Sequence, residues 1–239
     1  MRFLGGKSRL GGQIVQAMLH DLGVRRVALA GELCGGAGNV TCRLADVSDH
    51  VVSVELHPGL VAMHQALQAG WLPPEEVSEA EYLSVRASNA PDPRHAFLGF
   101  GCSFGGLRTG FAKTPGRNYC AESRRAVLRD VRPNVTHVQG NGLAWQPPAG
   151  LSLVYADPPY DGTQGYDGAD DEGRPLVAPP GAWWLRLQAL ARLGVPAFLS
   201  EYRADPWPGV SARQVWQAGT HKHGLNAGRD CERLWRVLP

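Results

Sequence analysis

Asp157-Pro158-Pro159-Tyr160 holds the residue types in this sequence that speak most directly of a chemistry. Two prolines after an acid make a stiff turn, because each fixes φ and neither offers an N–H through which a strand could continue. The turn keeps together a carboxylate, the backbone carbonyl of Pro158 and the aromatic face of Tyr160. Two adjacent acceptors match the two N–H donors of an exocyclic amino group, and the ring beside them can stack on the planar base that bears it. The plainer role for the same residues is a turn closing a strand, with Asp157 as a helix cap.

Such a turn acts only if something rigid delivers it. Residues 151–156, Leu-Ser-Leu-Val-Tyr-Ala, carry no charge and suit a buried strand of a largely parallel sheet. Asp157 is then expected exposed at the carboxyl edge, where open α/β sheets bind their ligands. Residues 25–30 read as a second strand, running into Gly31-Glu32-Leu33-Cys34-Gly35-Gly36-Ala37-Gly38-Asn39-Val40 and a helical pattern through Leu44 and Ala45. Strand, glycine-rich turn and helix form a nucleotide-binding layout. Residues 51–55 form another strand ending at Glu55, an acid placed to accept from both hydroxyls of a ribose. At the amino end, Phe3-Leu4-Gly5-Gly6-Lys7 leads into a helix with Leu10, Ile14, Ala17, Met18 and Leu22 on one face. Its glycines permit close approach of a ligand and Lys7 adds a point charge, but the spacing is not that of a phosphate loop. His57 and His64, around a helix through Leu60, Met63 and Leu67, read as helix-surface residues.

The order Phe-x-Gly-Gly-Lys, Glu-x-x-x-Gly-x-Gly, strand-end acid, basic insert, Asp-Pro-Pro-Tyr resembles the DNA adenine-N6 methyltransferases, closest to compact phage-type members of the Dam-like (D12) class. The resemblance runs from Phe3 to about Leu234. It implies an α/β fold: a Rossmann-like, S-adenosylmethionine-dependent methyltransferase sheet with a small inserted target-recognition region. Residues 1–72 and 134–239 would form the catalytic domain and residues 73–133 the insert. Phe3 and Lys7 would contact S-adenosylmethionine, Lys7 at its carboxylate. Gly36 and Gly38 would line its methionine portion, Glu55 hold the ribose and Asn141 lie beside the cofactor adenine. Asp157, between cofactor and target base, would act with Pro158, Pro159 and Tyr160 in catalysis. The chain departs from the family with Glu55 where Asp is common, Leu33-Cys34 where Pro-Phe is common, and His57 where Asn is common. Cytosine N4, with the same two donors, stays open as the substrate, as does a DNA- or cofactor-binding relic without turnover. Methylation of a protein glutamine amide uses a related turn headed by Asn, which Asp157 and the basic insert disfavour.

From Ser84 to Arg132 nine basic residues stand against Asp92, Glu122 and Asp130, with Phe97, Phe100, Phe104, Phe111 and Tyr119 interleaved. That pattern is the footprint of a nucleic-acid-facing segment, in which Arg108, Lys113, Arg117, Arg124 and Arg125 are the candidate DNA contacts. The glycine-rich run 99–106 is expected as a loop laid along phosphates or under a base. Residues 161–173, acidic and glycine-rich, read as a lid beside the catalytic turn. Trp183, Trp184, Leu187 and Leu190 have the spacing of a core helix, residues 195–202 of a strand, and residues 231–237 of a closing edge strand.

A length of 239 residues accommodates one α/β core plus a small insert. A net charge of +2 excludes binding by bulk polycationic character. Five cysteines without a CxxC pair suit reduced thiols, and His221 and His223 lack partners at metal-ligand spacing, so no metal is expected. No apolar run reaches membrane-spanning length and the amino end has no signal core. The expectation is a cytoplasmic protein of a bacterial or phage-infected cell, acting on double-stranded DNA without an obligate protein partner.

Overall fold

Parallel strands whose side chains are apolar on both faces need helices on both sides, and the chain builds that arrangement. The computed structural model describes residues 1, 6–86, 88, 90–106, 108, 110–160, 178–219 and 231–239. Among these, seven strands make one sheet: β1 (Val27–Leu33), β2 (Ser48–Glu55), β3 (Val135–Gln139), β4 (Leu153–Ala156), β5 (Ala197–Glu201), β6 (Ala212–Gln217) and β7 (Arg233–Val237). Their order is β3-β2-β1-β4-β5-β7-β6. The first five run parallel, and β7 is antiparallel to both of its neighbours. The α/β class with a mostly parallel sheet is therefore as the sequence indicates.

Register explains why the candidate residues meet. Leu33 pairs with both Val54 and Ala156, and Glu55 with Gln139, so four strands end level. Cys34, Glu55, Asn141 and Asp157 consequently follow on one carboxyl edge. Side chains alternate across the sheet: Leu153 and Tyr155 join the core with α1 (Gly11–Leu22) and α2 (Thr41–Asp46), whereas Val154 and Ala156 face α7 (Ala182–Arg192). In α1 the buried set is Gly11, Ile14, Val15, Met18 and Leu19, a face turned slightly from the expected one, with Leu10, Ala17 and Leu22 at its margin. In α7 the buried set includes Trp183, Trp184, Leu187 and Leu190, a core helix as expected.

Residues 231–237 do not form an edge strand. β7 lies inside the sheet between β5 and β6, and β6 is the edge. The pattern of β6, Ala-Arg-Gln-Val-Trp-Gln with no fully buried residue, gave too weak an apolar signal to announce a strand.

The insert contains α4 (Glu79–Val85), α5 (Pro93–Ala96), a π-helical turn at Phe97–Gly101, a 3-10 turn at Phe104–Gly106 and α6 (Tyr119–Asp130). Its aromatic residues are a core rather than a nucleic-acid surface. Phe97, Phe100, Cys102 and Tyr82 are buried with Leu60, Met63 and Leu67 of α3 (Pro58–Gln68). Of the run expected as a phosphate-lying or base-lying loop, Gly99 to Ser103 and Gly106 are buried, and Phe104, 66% exposed, and Gly105 are the residues open to solvent. Residue type alone could not separate these cases, because an aromatic serves a core and a stacking platform equally well.

Candidate active site

β4 ends where Pro158 and Pro159 remove the donors for further pairing, and the Asp157 amide donates to the Leu33 carbonyl at 3.2 Å. The carboxylate that emerges is not open to solvent; it is 16% exposed. Lys7 Nζ donates to Asp157 Oδ1 at 2.7 Å and the Tyr160 hydroxyl reaches the same oxygen at 2.9 Å. Glu232, from the residue before β7, completes the group: its Oε1 lies 2.5 Å from the Tyr160 hydroxyl and 3.7 Å from Lys7 Nζ. Lys7, Tyr160 and Glu232 are all buried. Burial works against the Lys7 charge, but the carboxylates of Asp157 and Glu232 outweigh it and raise its pKa. Burial, reinforced by the same two carboxylates, pushes the Tyr160 hydroxyl well up. Glu232 is also raised, by burial and by the Asp157 charge, against the pull of Lys7.

Lys7, expected to contact a cofactor carboxylate, lines a cleft at this sheet edge and pairs with Asp157. Tyr160, read as a stacking face, has its ring inside the protein, edge-on to Tyr202 at 4.5 Å between centroids and with Lys7 Nζ 5.0 Å from its own centroid. The Tyr160 hydroxyl is held by hydrogen bonds to two carboxylates, which turns its ring inward rather than toward a ligand.

Beside this group the β1 turn bends back under α2. Cys34, Gly36 and Gly38 have φ of 66°, 52° and 75°. A side chain at Gly35 would collide with Ser53 Oγ, so the turn packs directly on β2. Glu55 holds the turn from below, with Oε2 accepting from the Gly36 amide and Oε1 from the His57 amide, each at 2.8 Å. Burial raises its pKa and those two amides oppose the rise. Asn141 lies beyond β3 on the same edge, exposed, its Oδ1 accepting from the Leu143 amide at 2.9 Å. Gly6, Lys7, Glu32, Cys34, Gly36 and Asp157 are among the residues lining a narrow cleft at this edge. The structure thus brings Lys7, Gly36 and Asp157 to one cleft, with Glu55 beneath it and Asn141 farther along the edge. Phe3, the lid expected over residues 161–173, and His221 and His223 lie outside the described residues.

Glu32, Glu232 and His64 are functional candidates that the sequence reading left without a role. Glu32 is fully buried against Thr41 Oγ1, and burial pushes its pKa up to about 8. An acid inside an apolar strand four residues before Gly36 was a usable signal. Glu232 carried none, because its neighbours arrive from the other end of the chain. His57 and His64 are not surface residues of α3. His57 Nδ1 caps that helix, accepting from the Gly59 and Leu60 amides. His64 Nε2 lies 2.9 Å from the Gly36 carbonyl and its ring stacks on His137 at 4.5 Å. Burial lowers both of those imidazoles, His137 to about 3.

The basic residues of the insert are mostly spoken for. Arg108, at φ 60°, donates to the carbonyls of Arg86 and Ser88 at 2.7 and 2.6 Å and reaches His57 Nε2 at 3.1 Å. Arg117 makes a two-pronged pair with Glu122, and Arg124 pairs with Glu75. Arg94 and Arg132 pair with Glu81 and Asp46. Lys113 and Arg125 are exposed and make no ion pair among the described residues. The sequence count missed this neutralisation in part because Glu75, Glu81 and Asp46 lie outside or were left out of the basic stretch.

No family profile matches the chain, and no curated protein matches it in sequence. Solved structures are similar in course. The rRNA methyltransferase AviRa from Streptomyces viridochromogenes is 13% identical, with 96% of this chain and 84% of that one covered and a TM-score of 0.46. The magnesium protoporphyrin IX methyltransferase ChlM from Synechocystis PCC 6803, solved with bound S-adenosylmethionine, is 11% identical over 98% and 80%, TM-score 0.46. A dimethyladenosine transferase from Plasmodium falciparum is 9% identical over 95% and 61%, TM-score 0.43. These proteins have different substrates, and the likeness assigns none of them to this chain.

Proposed function

We propose that this protein transfers a methyl group from S-adenosylmethionine to the exocyclic N6 of adenine in double-stranded DNA. The observation that carries the reading is the delivery of Asp157-Pro158-Pro159-Tyr160 by β4 to the rim of the cleft beneath the β1 glycine turn. The residues present fit the cofactor. Gly36 lines the cleft and allows close backbone approach, whereas Gly38 packs against the His64 ring, and the Glu55 carboxylate, held by backbone amides, can still accept from a ribose hydroxyl. When bound, S-adenosylmethionine supplies a methyl group carried on a positively charged sulfur.

The protein's own residues then orient the amino group. Lys7 and Tyr160 both bond Asp157 Oδ1, so Oδ2 is the oxygen left to accept one N6 hydrogen. The carbonyl of Pro158, held by the rigid turn, accepts the other. Fixing both hydrogens aims the nitrogen lone pair and stabilises positive charge growing on N6, with no covalent intermediate. A duplex adenine reaches the turn only if flipped from its stack. Arg108 reaches His57 just past Glu55, which supports the reading that DNA held by residues 73–133 would lie next to the cleft.

The test is transfer of labelled methyl to unmethylated DNA and, separately, to RNA, followed by digestion and mass detection of nucleosides. N6-methyladenine from DNA is the expected product. N4-methylcytosine would keep the turn's role and change the base, label in RNA would change the polymer, and cofactor binding without transfer would mark a relic.

A further inference from the structure

We infer that Glu232 is a positioning residue of this site, which as a carboxylic acid donates to the Tyr160 oxygen and so directs the Tyr160 hydroxyl proton onto Asp157 Oδ1. The inference deepens the proposed methyl transfer and rests on that reading for its kinetic arm.

Counting hydrogens leads to it. The Tyr160 oxygen sits 2.5 Å from Glu232 Oε1 and 2.9 Å from Asp157 Oδ1. A phenol carries one hydrogen and cannot satisfy two carboxylates at once. Lys7 does not relieve the shortage, because Nζ, 2.7 Å from Asp157, stands beyond hydrogen-bond reach of Glu232 at 3.7 Å. A second hydrogen, on Glu232, satisfies both short contacts in one direction: Glu232 to Tyr160, Tyr160 to Asp157. It also leaves one ammonium facing one carboxylate instead of two, which a site this dry favours.

Every described group facing Glu232 bears on this assignment. Lys7 favours the charged form; Asp157 disfavours it; the hydroxyls of Tyr160 and Ser200 are hydrogen-bond partners; Tyr155 and Tyr202 stand close by. Burial is the largest influence and favours the acid. In this direction Asp157 Oδ1 receives two donors and its carboxylate plane is fixed, with Oδ2 turned to the substrate. Once Glu232 loses its proton the Tyr160 hydroxyl turns toward it, and Asp157 keeps Lys7 alone.

The experiment is the pH profile of kcat for the wild type, Glu232→Gln and Glu232→Leu at saturating cofactor and DNA, together with the infrared difference spectrum between wild type and Glu232→Gln. Glutamine donates permanently. Glu232→Gln is therefore expected to stay within about threefold of wild-type kcat near neutrality and to lose the alkaline fall that the wild type shows. Glu232→Leu should lose roughly ten- to a hundredfold in kcat while binding cofactor normally. The difference spectrum should contain a protonated carboxyl C=O band. Superimposable pH profiles for wild type and Glu232→Gln, or a folded, cofactor-binding Glu232→Gln as inactive as the leucine variant, would overturn the inference. Absence of the band overturns it without any need for turnover. The band together with no methyl transfer would instead remove the methyltransferase reading and leave the direction of the hydrogen bonds standing.

Discussion

Asp157 concentrates the chemistry of one oxygen pair. Replacing it with Asn keeps the size and puts an amide donor where an acceptor is required, so Asp157→Asn is expected to lower kcat a hundred- to a thousandfold with cofactor affinity retained. Rapid-quench or steady-state methyl transfer, paired with cofactor titration, measures both. Lys7 makes a different prediction. Its removal leaves the Asp157 carboxylate buried without its cation, so Lys7→Met should cost about 3 kcal/mol in denaturant unfolding. Glu32 governs a pH effect whose sign is fixed by its pKa of about 8 against an ordinary 4.5. The folded state keeps a proton that the unfolded chain has released, so stability falls as pH rises from about 4.5 to 8 and levels off above. Glu32→Gln should flatten that slope, by an amount on the order of a few kcal/mol across the window. Unfolding curves at several pH values decide it.

At the scale of elements, the β1 turn tolerates no side chain where it lies on β2. Gly35→Ala should destabilise by about 1–3 kcal/mol through collision with Ser53 Oγ, and Ser53→Ala in the same chain should restore most of it. Thermal melting of the single and double variants checks this. What could be seen in the sequence at this scale follows from contrast. β4 was legible because residues 151–156 are uncharged and end at two prolines, and the Gly36–Gly38 turn because glycines interrupt a strand-to-helix change of period. β6 was illegible because its apolar residues are only partly buried and do not alternate in an apolar rhythm. The insert was misread for the opposite reason: its phenylalanines do cluster, but against α3, and composition does not say which way a ring points. Glu232 escaped because what gives it meaning, the hydroxyl of Tyr160, is 72 residues away.

The whole molecule carries a net charge of only +2, and the ion pairs of the insert remove much of what seemed a basic face. DNA affinity should therefore depend on salt weakly for a nucleic-acid enzyme. Lys113 and Arg125 are the exposed charges with most to contribute. Replacing both with Ala should reduce the slope of log K against log salt by about 2. Arg124→Ala, whose charge Glu75 already answers, should leave the slope almost unchanged. Fluorescence anisotropy over a salt series reads all three. Among the described residues no helix is long and apolar enough to cross a membrane.

The placement of β7 between β5 and β6 also sets an order of events during synthesis. β5 and β6 leave the ribosome first, yet they cannot pair with each other in the final sheet; each waits for β7 to enter the gap. Glu232 travels with that insertion, while Lys7, which it faces, was made long before and spans 150 residues to reach Asp157. Contacts so distant along the chain form slowly. A nascent chain halted before Glu232 has its glycine turn and its Asp-Pro-Pro-Tyr turn but not the assembled cluster, so the site is completed only when β7 enters the sheet.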